Sequence, residues 1–482
     1  MPNAADDRVS ARPADEGGYW YSRWLFERAL ALLYAVAFLV ALNQFVPLLG
    51  EHGLLPVPRF VRQVPFRITP SLFYLAPTDT AFRAAAWLGL ALSVVALLGL
   101  ASRVRSVAGA GVWALLWLLY LSFVNVGQTF YGFGWETLLL ETGFLAIFLG
   151  GRATRDAIVC PWLLRWVLFR VMFGAGLIKW RGDPCWRDLT CLDFYFETQP
   201  IPNPLTWYFH WLPGSVHHAG VVINHVVELG LPFLLFTPQP IAGIAGLATI
   251  AFQLVLIASG NLSWLNWLTI ALAIPTVPDG WLRWLPVTRP ALSRPSAAGY
   301  AMRYALLTVV GMLSIAPMAN MLSPTQVMNT SYDPLHLVNT YGAFGSITRV
   351  RHEIVIEGTD AAVLTDATTW RAYEFRGKPG DPFRSPPQIA PYHLRLDWLM
   401  WFAAMSEPVE HEWFAPLLEK LLRGDPATLG LLASNPFPGR PPRYVRAEYY
   451  TYRLTAPLER RTTGRWWHRE RLGVYYPAVS LR

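Results

Sequence analysis

The chain has 482 residues, of which 53% are hydrophobic and only 15% are charged, with 40 Lys and Arg against 32 Asp and Glu. Globular proteins carry about 25% charged residues, so the composition disfavours a water-soluble single-core fold, and the 14% aromatic content excludes a disordered chain. The basic excess forms no clustered stripe, which argues against a nucleic-acid partner. Charged residues are roughly twice as frequent after residue 321 as before it, which predicts a membrane part followed by a more polar part.

The membrane part is predicted at residues 20–321, after a polar, disordered cytosolic tail at residues 1–19. A bilayer-spanning helix needs about 20 apolar residues, and enough apolar runs approach that length to predict an all-α bundle of about nine transmembrane helices. The run at 262–278 is short and proline-bounded, so a re-entrant segment is the alternative there. The nine runs are 24–46, 82–101, 107–126, 130–150, 161–180, 216–237, 240–258, 262–278 and 299–321.

Loop charges predict the orientation of these spans. With the N-terminus inside, the inside loops carry arginines whereas the short outside turns at 127–130 and 259–261 carry no basic residue, which agrees with the positive-inside rule. Nine spans then place residues 47–81, 181–215 and 322–482 on the outer side, meaning the periplasm or the lumen of the endoplasmic reticulum. The inside arginines are Arg103, Arg105, Arg152, Arg155, Arg283, Arg289 and Arg294.

Residues 322–482 are predicted to form a folded extracytoplasmic α+β domain that is rich in β-structure. Alternating apolar and polar residues indicate strands, and apolar residues at helical spacing indicate helices. The expected order is strands, then two helices, then strands. The strands are predicted at 351–357, 370–376 and 444–454, and the helices at 394–405 and 412–422.

A charged loop after the fifth predicted span is the most informative segment, because apolar composition does not require it. Its candidate functional residues are Lys179, Trp180, Arg181, Asp183, Cys185, Trp186, Asp188 and Cys191. The third cysteine, Cys160, lies at the opposite end of the same helix, so a disulfide between Cys185 and Cys191 is the obvious pairing on an oxidising side. We favour a structural staple. A redox-active pair and the absence of a disulfide are the alternatives, since the spacing is not Cys-x-x-Cys.

Lys179 is the only lysine before residue 378. A lysine can lose its proton on burial and then act as a base, which an arginine cannot do. The favoured interpretation is nevertheless a snorkelling residue, whose stem lies on apolar surface while its head reaches water. No catalytic residue other than Lys179 is a candidate.

Polar residues within the predicted spans form a second candidate set, because a charge at the membrane centre is costly. Glu141 and Arg170 lie on consecutive helices, so we expect a buried ion pair, with a ligand or proton path as the alternative. His218, His225 and Glu228 share one helical face, and we expect hydrogen bonds between helices there rather than a metal site. The intramembrane polar residues are Glu136, Glu141, Arg170, His225 and Glu228.

Seven segments between about residue 130 and the C-terminus carry long, specific motifs, namely 135–148, 170–186, 195–204, 339–345, 373–380, 390–398 and 435–438. These segments resemble the lipase maturation factor family. The resemblance implies a multi-span membrane protein, found in the endoplasmic reticulum in eukaryotic members, that acts like a chaperone without a cofactor. It implies an exported lipase or another secreted protein as partner, besides membrane lipid. The Ala/Arg/Pro-rich composition with almost no lysine indicates a bacterium, hence an inner-membrane protein with a periplasmic C-terminal domain.

A weaker similarity supports an enzymatic alternative. Residues 175–179, followed by an acidic loop with tryptophans, are similar to the vitamin K-dependent γ-carboxylase group, in which a lysine at this place acts as base on a quinol. This similarity implies Lys179 as the base and a quinone or lipid as the cofactor. A small-molecule transporter is the third reading, disfavoured by the large outer domain and the lack of internal repeats.

Overall fold

The computed structural model describes residues 18–100, 106–149, 159–290 and 296–481. Nearly all of the predicted cytosolic tail, residues 1–17, lies outside the described residues. So do several of the predicted inside arginines, namely Arg103, Arg105, Arg152, Arg155 and Arg294.

The N-terminal part of the described chain is helical. Its main helices are α1 (Trp20–Leu49), α2 (Asp79–Leu98), α3 (Ser106–Val126), α4 (Gly134–Ala146), α5 (Val159–Arg181), α6 (Gly214–His225), α7 (Ile241–Ser259), α8 (Leu265–Ala273) and α9 (Ala297–Leu313). A π-helical turn at Val226–Gly230 follows α6 and leads into Leu231–Leu234, while Ile274–Thr276 extends α8 and Ile315–Leu322 extends α9. Short helices in the connections are Val57–Gln63, Leu72–Tyr74, Gln128–Tyr131, Pro184–Arg187, Leu192–Thr198, Thr206–His210 and Asp279–Leu282.

Within the described residues, six helices are long and apolar enough to cross a membrane: α1, α2, α3, α5, α7, and α9 together with its extension to Leu322. The prediction of about nine spans is therefore confirmed only in part. Helix α4 has 13 residues, which is about 20 Å at 1.5 Å per residue, against a hydrocarbon core of about 30 Å. A π-helical turn interrupts the segment of α6, and α8 ends just before Pro275. At α4, α6 and α8, the apolar run in the sequence is thus longer than the regular helix that forms within it.

The short helix α4 nevertheless runs between the same two ends of the bundle as α1. At the first end, an Arg23 N–H near the start of α1 donates to the Leu149 carbonyl just after α4, at 3.2 Å. At the second end, the Gln44 amide donates to the His393 carbonyl at 2.6 Å, and Phe133, before α4, packs on the His393 ring. The C-terminal part therefore sits at the end of the bundle opposite to the start of α1.

The C-terminal part is built on a four-stranded antiparallel sheet in the order β2–β1–β3–β4. Its strands are β1 (Arg351–Thr359), β2 (Arg371–Ala372), β3 (Tyr444–Leu454) and β4 (Trp467–Val479). Its helices are α10 (Arg395–Ala403), α11 (Phe414–Arg423) and α12 (Pro457–Thr463), with short turns at Pro408–Glu410 and Pro426–Leu429.

The order of strands, two helices and strands is the predicted one. Strand β2 is much shorter than the predicted run at 370–376. Strand β4 was not predicted, because it is an exposed edge strand whose consecutive charged residues hide any alternation. The hydroxyls of Tyr449 and Tyr475 donate to the carbonyls of Ala404 and Ala403, at 2.8 and 2.9 Å. Helix α10 thereby joins the sheet to the helical part.

Two glycines on α5 allow neighbouring segments to approach its backbone closely. A Cβ atom on Gly174 would lie 2.5 Å from the Tyr341 carbonyl oxygen, and one on Gly176 would lie 2.7 Å from a methyl group of Leu229. Real Cβ contacts are longer than this, so neither position accepts a side chain without movement. Both glycines are therefore used to pack protein against protein.

We predict that Gly174→Ala lowers the thermal unfolding temperature of the full-length protein in detergent, because the methyl group meets backbone that cannot turn away. Overpacking of this kind costs about 1–3 kcal/mol. Gly311→Ala on α9 is the matched control, since nothing lies within 4 Å of its Cβ position and alanine is the better helix former. Equal unfolding temperatures for the two variants would contradict the close packing at Gly174.

Candidate functional site: buried charges between the helices and the C-terminal part

Lys179, in the last turn of α5, is buried. Its side chain is only 5% exposed, and its Nζ donates hydrogen bonds to Glu228 Oε1 at 2.6 Å and to Asn224 Oδ1 at 3.0 Å. The Asn224 amide in turn donates to the second Glu228 oxygen at 3.1 Å, and the Trp186 ring centroid lies 5.1 Å from Nζ. The snorkelling interpretation is therefore wrong, because the ammonium group does not reach water.

The partners of Lys179 come from α6 and the π-helical turn after it. Asn224 and Glu228 are four residues apart, so both side chains face α5. His225 bonds through Nε2 to the Trp186 carbonyl, at 2.9 Å, whereas His218 is exposed. The expected hydrogen bond between helices is therefore found at Glu228, which binds Lys179 of α5, but the exposed His218 does not join His225 and Glu228 in these contacts.

The loop that follows α5 and covers Lys179 is closed by a disulfide between Cys185 and Cys191, as predicted, whereas Cys160 is a buried thiol outside this disulfide. Both disulfide cysteines lie in an apolar cluster that includes Trp186. The disulfide therefore holds the ring that covers Lys179. Among the described residues, Asp183 and the two cysteines are close enough to share a metal ion, but sulfurs joined in a disulfide offer no thiolate.

Asp183 joins this loop to the C-terminal part. Its carboxylate accepts two hydrogen bonds from the Arg349 guanidinium, at 2.7 and 3.0 Å, and others from the backbone N–H groups of Cys185 and Ile347. The Arg349 hydrogen bonds lower the pKa of Asp183 to about 2. The Asp183 backbone N–H also donates to the Gly345 carbonyl at 2.8 Å. Asp183 is thus an anchor rather than a free acid.

The remaining residues of the predicted loop are less enclosed. Trp180 is 49% exposed and meets the His225 ring edge-on, so it does not wall the Lys179 site as Trp186 does. Arg181 donates to the Met321 carbonyl at 2.8 Å and to Gln326 Oε1 at 3.0 Å. Asp188 is exposed.

The carboxylate of Glu141 forms a buried ion pair with Arg170, as their positions on consecutive helices predict. The C-terminal part completes this pair. The Tyr341 hydroxyl donates to Glu141 Oε2 at 2.6 Å, and the Asn339 backbone N–H donates to the same oxygen at 3.1 Å. An Arg170 N–H also donates to the Asn339 carbonyl at 2.7 Å.

Glu136, on the same helix as Glu141, takes its counter-charge from the C-terminal part. Arg395 donates to Glu136 Oε1 at 2.8 Å and to the Phe130 carbonyl at 2.7 Å, and the Tyr120 hydroxyl also donates to this carboxylate. The backbone N–H of Arg395 donates to Gln44 Oε1 at 3.0 Å. Arg395 is therefore fixed to three different segments of the helical part.

His393, beside Arg395, is enclosed by aromatic rings. Its centroid lies 4.9 to 5.9 Å from the rings of Phe133, Trp135, Trp264 and Trp398. Neither ring nitrogen has a hydrogen-bond partner among the described residues, and Nδ1 is 3.8 Å from Glu136 Oε1. Burial lowers the pKa of His393 to about 4, so the ring is neutral near pH 7.

A further buried charge cluster joins β1 to the loop after the Leu192–Thr198 helix. Arg351 donates to Glu353 Oε1 at 2.6 Å and to the Glu197 and Pro200 carbonyls, at 3.0 and 3.1 Å. Lys378 Nζ lies 2.8 Å from the second Glu353 oxygen. Sequence reasoning missed this cluster, as it missed Asn339, Tyr341, His393 and Arg395. The sequence did contain a signal for most of these residues, because they lie in segments 339–345, 373–380 and 390–398, which carry the resemblance to the family.

The fold and these clusters define a helical membrane protein whose sheet-containing C-terminal part is locked onto one end of the bundle by buried charges. The family model of the lipase maturation factor transmembrane domain matches residues 21–284, and that of the lipase maturation factor C-terminal domain matches residues 337–477. The chain therefore belongs to the lipase maturation factor family, as the sequence segments indicate.

Relatives match along almost the whole chain. Lipase maturation factor 1 from Bos taurus is 44% identical over 98% of this chain and 91% of that protein, and the Homo sapiens protein of the same name is 43% identical over 96% and 89%. Lipase maturation factor 2 from Mus musculus is 30% identical over 95% of this chain and 83% of that protein. No solved structure matches.

We predict that acidification from pH 7 to pH 5 destabilises the protein, partly through His393. Its pKa is about 4 when folded and about 6.5 when unfolded, so the unfolded state binds more protons in this range. Stability therefore rises with pH between these values, and the His393 share at pH 5 is a loss of about 2 kcal/mol. Burial also lowers the pKa of His210 and His336, which act in the same direction.

The measurement is the thermal unfolding temperature at pH 7 and pH 5 for the wild type and for His393→Phe, in which the aromatic enclosure keeps a ring. The variant should lose less stability on acidification. His218→Gln, at an exposed histidine, is the control and should keep the wild-type pH dependence. An unchanged pH dependence in His393→Phe would refute the assignment.

Proposed function

We propose that this chain is a membrane-embedded maturation factor for exported lipases, or for other secreted proteins, that acts by binding its client. Membership in the lipase maturation factor family supports the role, and the names of the relatives indicate a lipase as client. No cofactor and no catalytic residue enter this proposal.

The observation that carries the non-catalytic reading is the environment of Lys179. Its ammonium group is held by a carboxylate oxygen at 2.6 Å and an amide oxygen at 3.0 Å, under the Trp186 ring. Gly174 and Gly176 lack side chains that would keep a flat cofactor away from α5, but both already pack against protein, namely Tyr341 and Leu229. These contacts favour a lysine that holds α5 to α6 over a lysine that removes a proton from a quinol.

The direct test is deletion of the gene, followed by measurement of exported lipase activity and exported lipase protein. A maturation factor should leave the amount of lipase made unchanged and lower its specific activity, because unfolded client accumulates. Restoring the gene should restore the activity. Full lipase activity and undiminished export of other proteins in the deletion strain would contradict the proposal.

A double substitution separates a structural lysine from a catalytic one. Removing one member of a buried ion pair costs about 3–5 kcal/mol, whereas replacing both by apolar residues is often neutral. We therefore predict that Lys179→Met and Glu228→Leu each lower the yield of folded protein and that the combined variant recovers both folding and lipase maturation. Arg423→Met, which removes an exposed pair with Glu419, is the control and should be nearly silent.

Folding and activity are read separately in this experiment, by thermal unfolding and by exported lipase activity in the deletion strain. A combined variant that folds at the wild-type level but does not mature lipase would mean that Lys179 performs chemistry. The enzymatic alternative, with a quinone or lipid as cofactor, would then replace the binding proposal.

We propose that residues 322–482 lie on the extracytoplasmic side, in the periplasm if the chain resides in a bacterial inner membrane. The position of the sheet at the end of the bundle opposite to Trp20 supports this, together with the inside arginines of the sequence. An alkaline phosphatase fused after the last residue should be active, and a green fluorescent protein fused there should be dark. A fluorescent C-terminal fusion would place this part in the cytosol.

A further inference from the structure

An exposed apolar stripe lies at the end of the bundle that carries the C-terminal part. Leu205, Tyr208 and Leu212 are spaced three and four residues apart along the short helix Thr206–His210 and its flanks, and all three side chains are exposed. This spacing puts them on one face. Trp207, on the other face, is buried.

This stripe continues the outer surface of a membrane-spanning helix. The Thr206 hydroxyl donates to the carbonyl of Ser259, the last residue of α7, at 2.9 Å. The residues Leu254 and Val255, one turn earlier on α7, are also exposed. Since α7 is a candidate membrane span, the stripe lies at the level where that span leaves the apolar core, and aromatic residues concentrate at this level in membrane proteins.

The C-terminal part places basic residues next to this stripe. The short helix α12, between β3 and β4, stacks the Arg460 guanidinium on the rings of Trp466 and Trp207, at 3.5 and 4.4 Å from their centroids. Arg461 and Arg465, on and just after the same helix, are exposed. The indole N–H of Trp207 donates to the Thr455 carbonyl at 2.8 Å, which fixes α12 against the short helix that carries the stripe. The Arg460 guanidinium also lies 5.5 Å from the ring centroid of Tyr208, a residue of the stripe.

These arginines have no acidic counterpart in the part of the chain that the structure describes. No carboxylate there lies within ion-pair distance of Arg460, Arg461 or Arg465. Glu459, the acidic residue of α12, is already bound by Arg453 at 3.0 Å and by His468 at 3.1 Å. The surface therefore combines exposed aliphatic and aromatic groups with uncompensated positive charge, which is the composition of a membrane-surface helix.

We propose that α12 and the stripe rest together on the membrane surface, where Arg460, Arg461 and Arg465 bind phosphate groups of anionic phospholipids. Leu458, three residues before Arg461 and 73% exposed, enters the interface beside them. The C-terminal part is then held to the bilayer by its own surface in addition to the buried ion pairs. The partner is the lipid surface of the membrane, which α12 and the stripe contact beside α7.

The test reports the depth of α12 in the full-length protein reconstituted in nanodiscs. An environment-sensitive fluorophore is attached at Leu458→Cys, and quenching by spin-labelled headgroup lipid is measured. Val363→Cys is the matched control: Val363 is also 73% exposed, but it lies after the opposite end of β1, between Asp360 and Asp366. The wild-type chain is labelled in parallel, because Cys160 is a cysteine outside the disulfide.

We expect quenching at position 458 to exceed that at position 363 by about twofold or more in discs of phosphatidylcholine with phosphatidylglycerol, and to fall in phosphatidylcholine alone and at high salt. The variant Arg461→Gln with Arg465→Gln should abolish the dependence on phosphatidylglycerol, while Arg440→Gln, an exposed arginine before β3, should retain it. Equal quenching at the two positions would overturn the proposal, and so would quenching at 458 that is independent of lipid charge.

Discussion

Two buried carboxylates on the short helix α4 determine how the two parts of the chain fit together. Glu136 and Glu141 are both enclosed in the protein, and a buried charge left without a partner costs several kcal/mol. Glu136 is neutralised by Arg395, and the pair of Glu141 with Arg170 is completed by Tyr341. Arg395 and Tyr341 both follow residue 321. The two buried carboxylates of α4 therefore have all their partners only when the C-terminal part is in place.

The same segment that completes the Glu141 pair also reaches the Lys179 loop. Residues 339–349 follow α5 from the ion pair of Glu141 with Arg170 to Asp183, whose carboxylate accepts hydrogen bonds from Arg349. Their backbone lies so close to Gly174 that no Cβ atom fits between them. The disulfide loop, helix α5 and the start of the sheet are therefore one packed unit. A rigid unit of this kind suits a protein whose proposed task is to present a surface to a folding client.

The sequence could predict those features that depend on neighbouring residues. Apolar runs located the long helices, the shared loop indicated the disulfide, and consecutive helices suggested the pair of Glu141 with Arg170. Arg395 and Glu136 are 259 residues apart, and no local pattern connects them. The burial of Lys179 was also invisible, because its partners Asn224 and Glu228 lie 45 and 49 residues further along the chain.

The placement of the lysines in this arginine-rich chain has a structural explanation. Lysine occurs only at positions 179, 378 and 420. Two of these lysines are buried and bind a carboxylate, since Lys179 lies 2.6 Å from Glu228 and Lys378 lies 2.8 Å from Glu353. An ammonium group is a compact point charge with three donors, whereas a guanidinium is a wide planar fork, so lysine suits a narrow site with several separate acceptors. Because the same arrangement recurs at Lys378, which follows β2 and binds Glu353 of β1, the isolated lysine of α5 is accounted for by packing and does not by itself indicate a catalytic base.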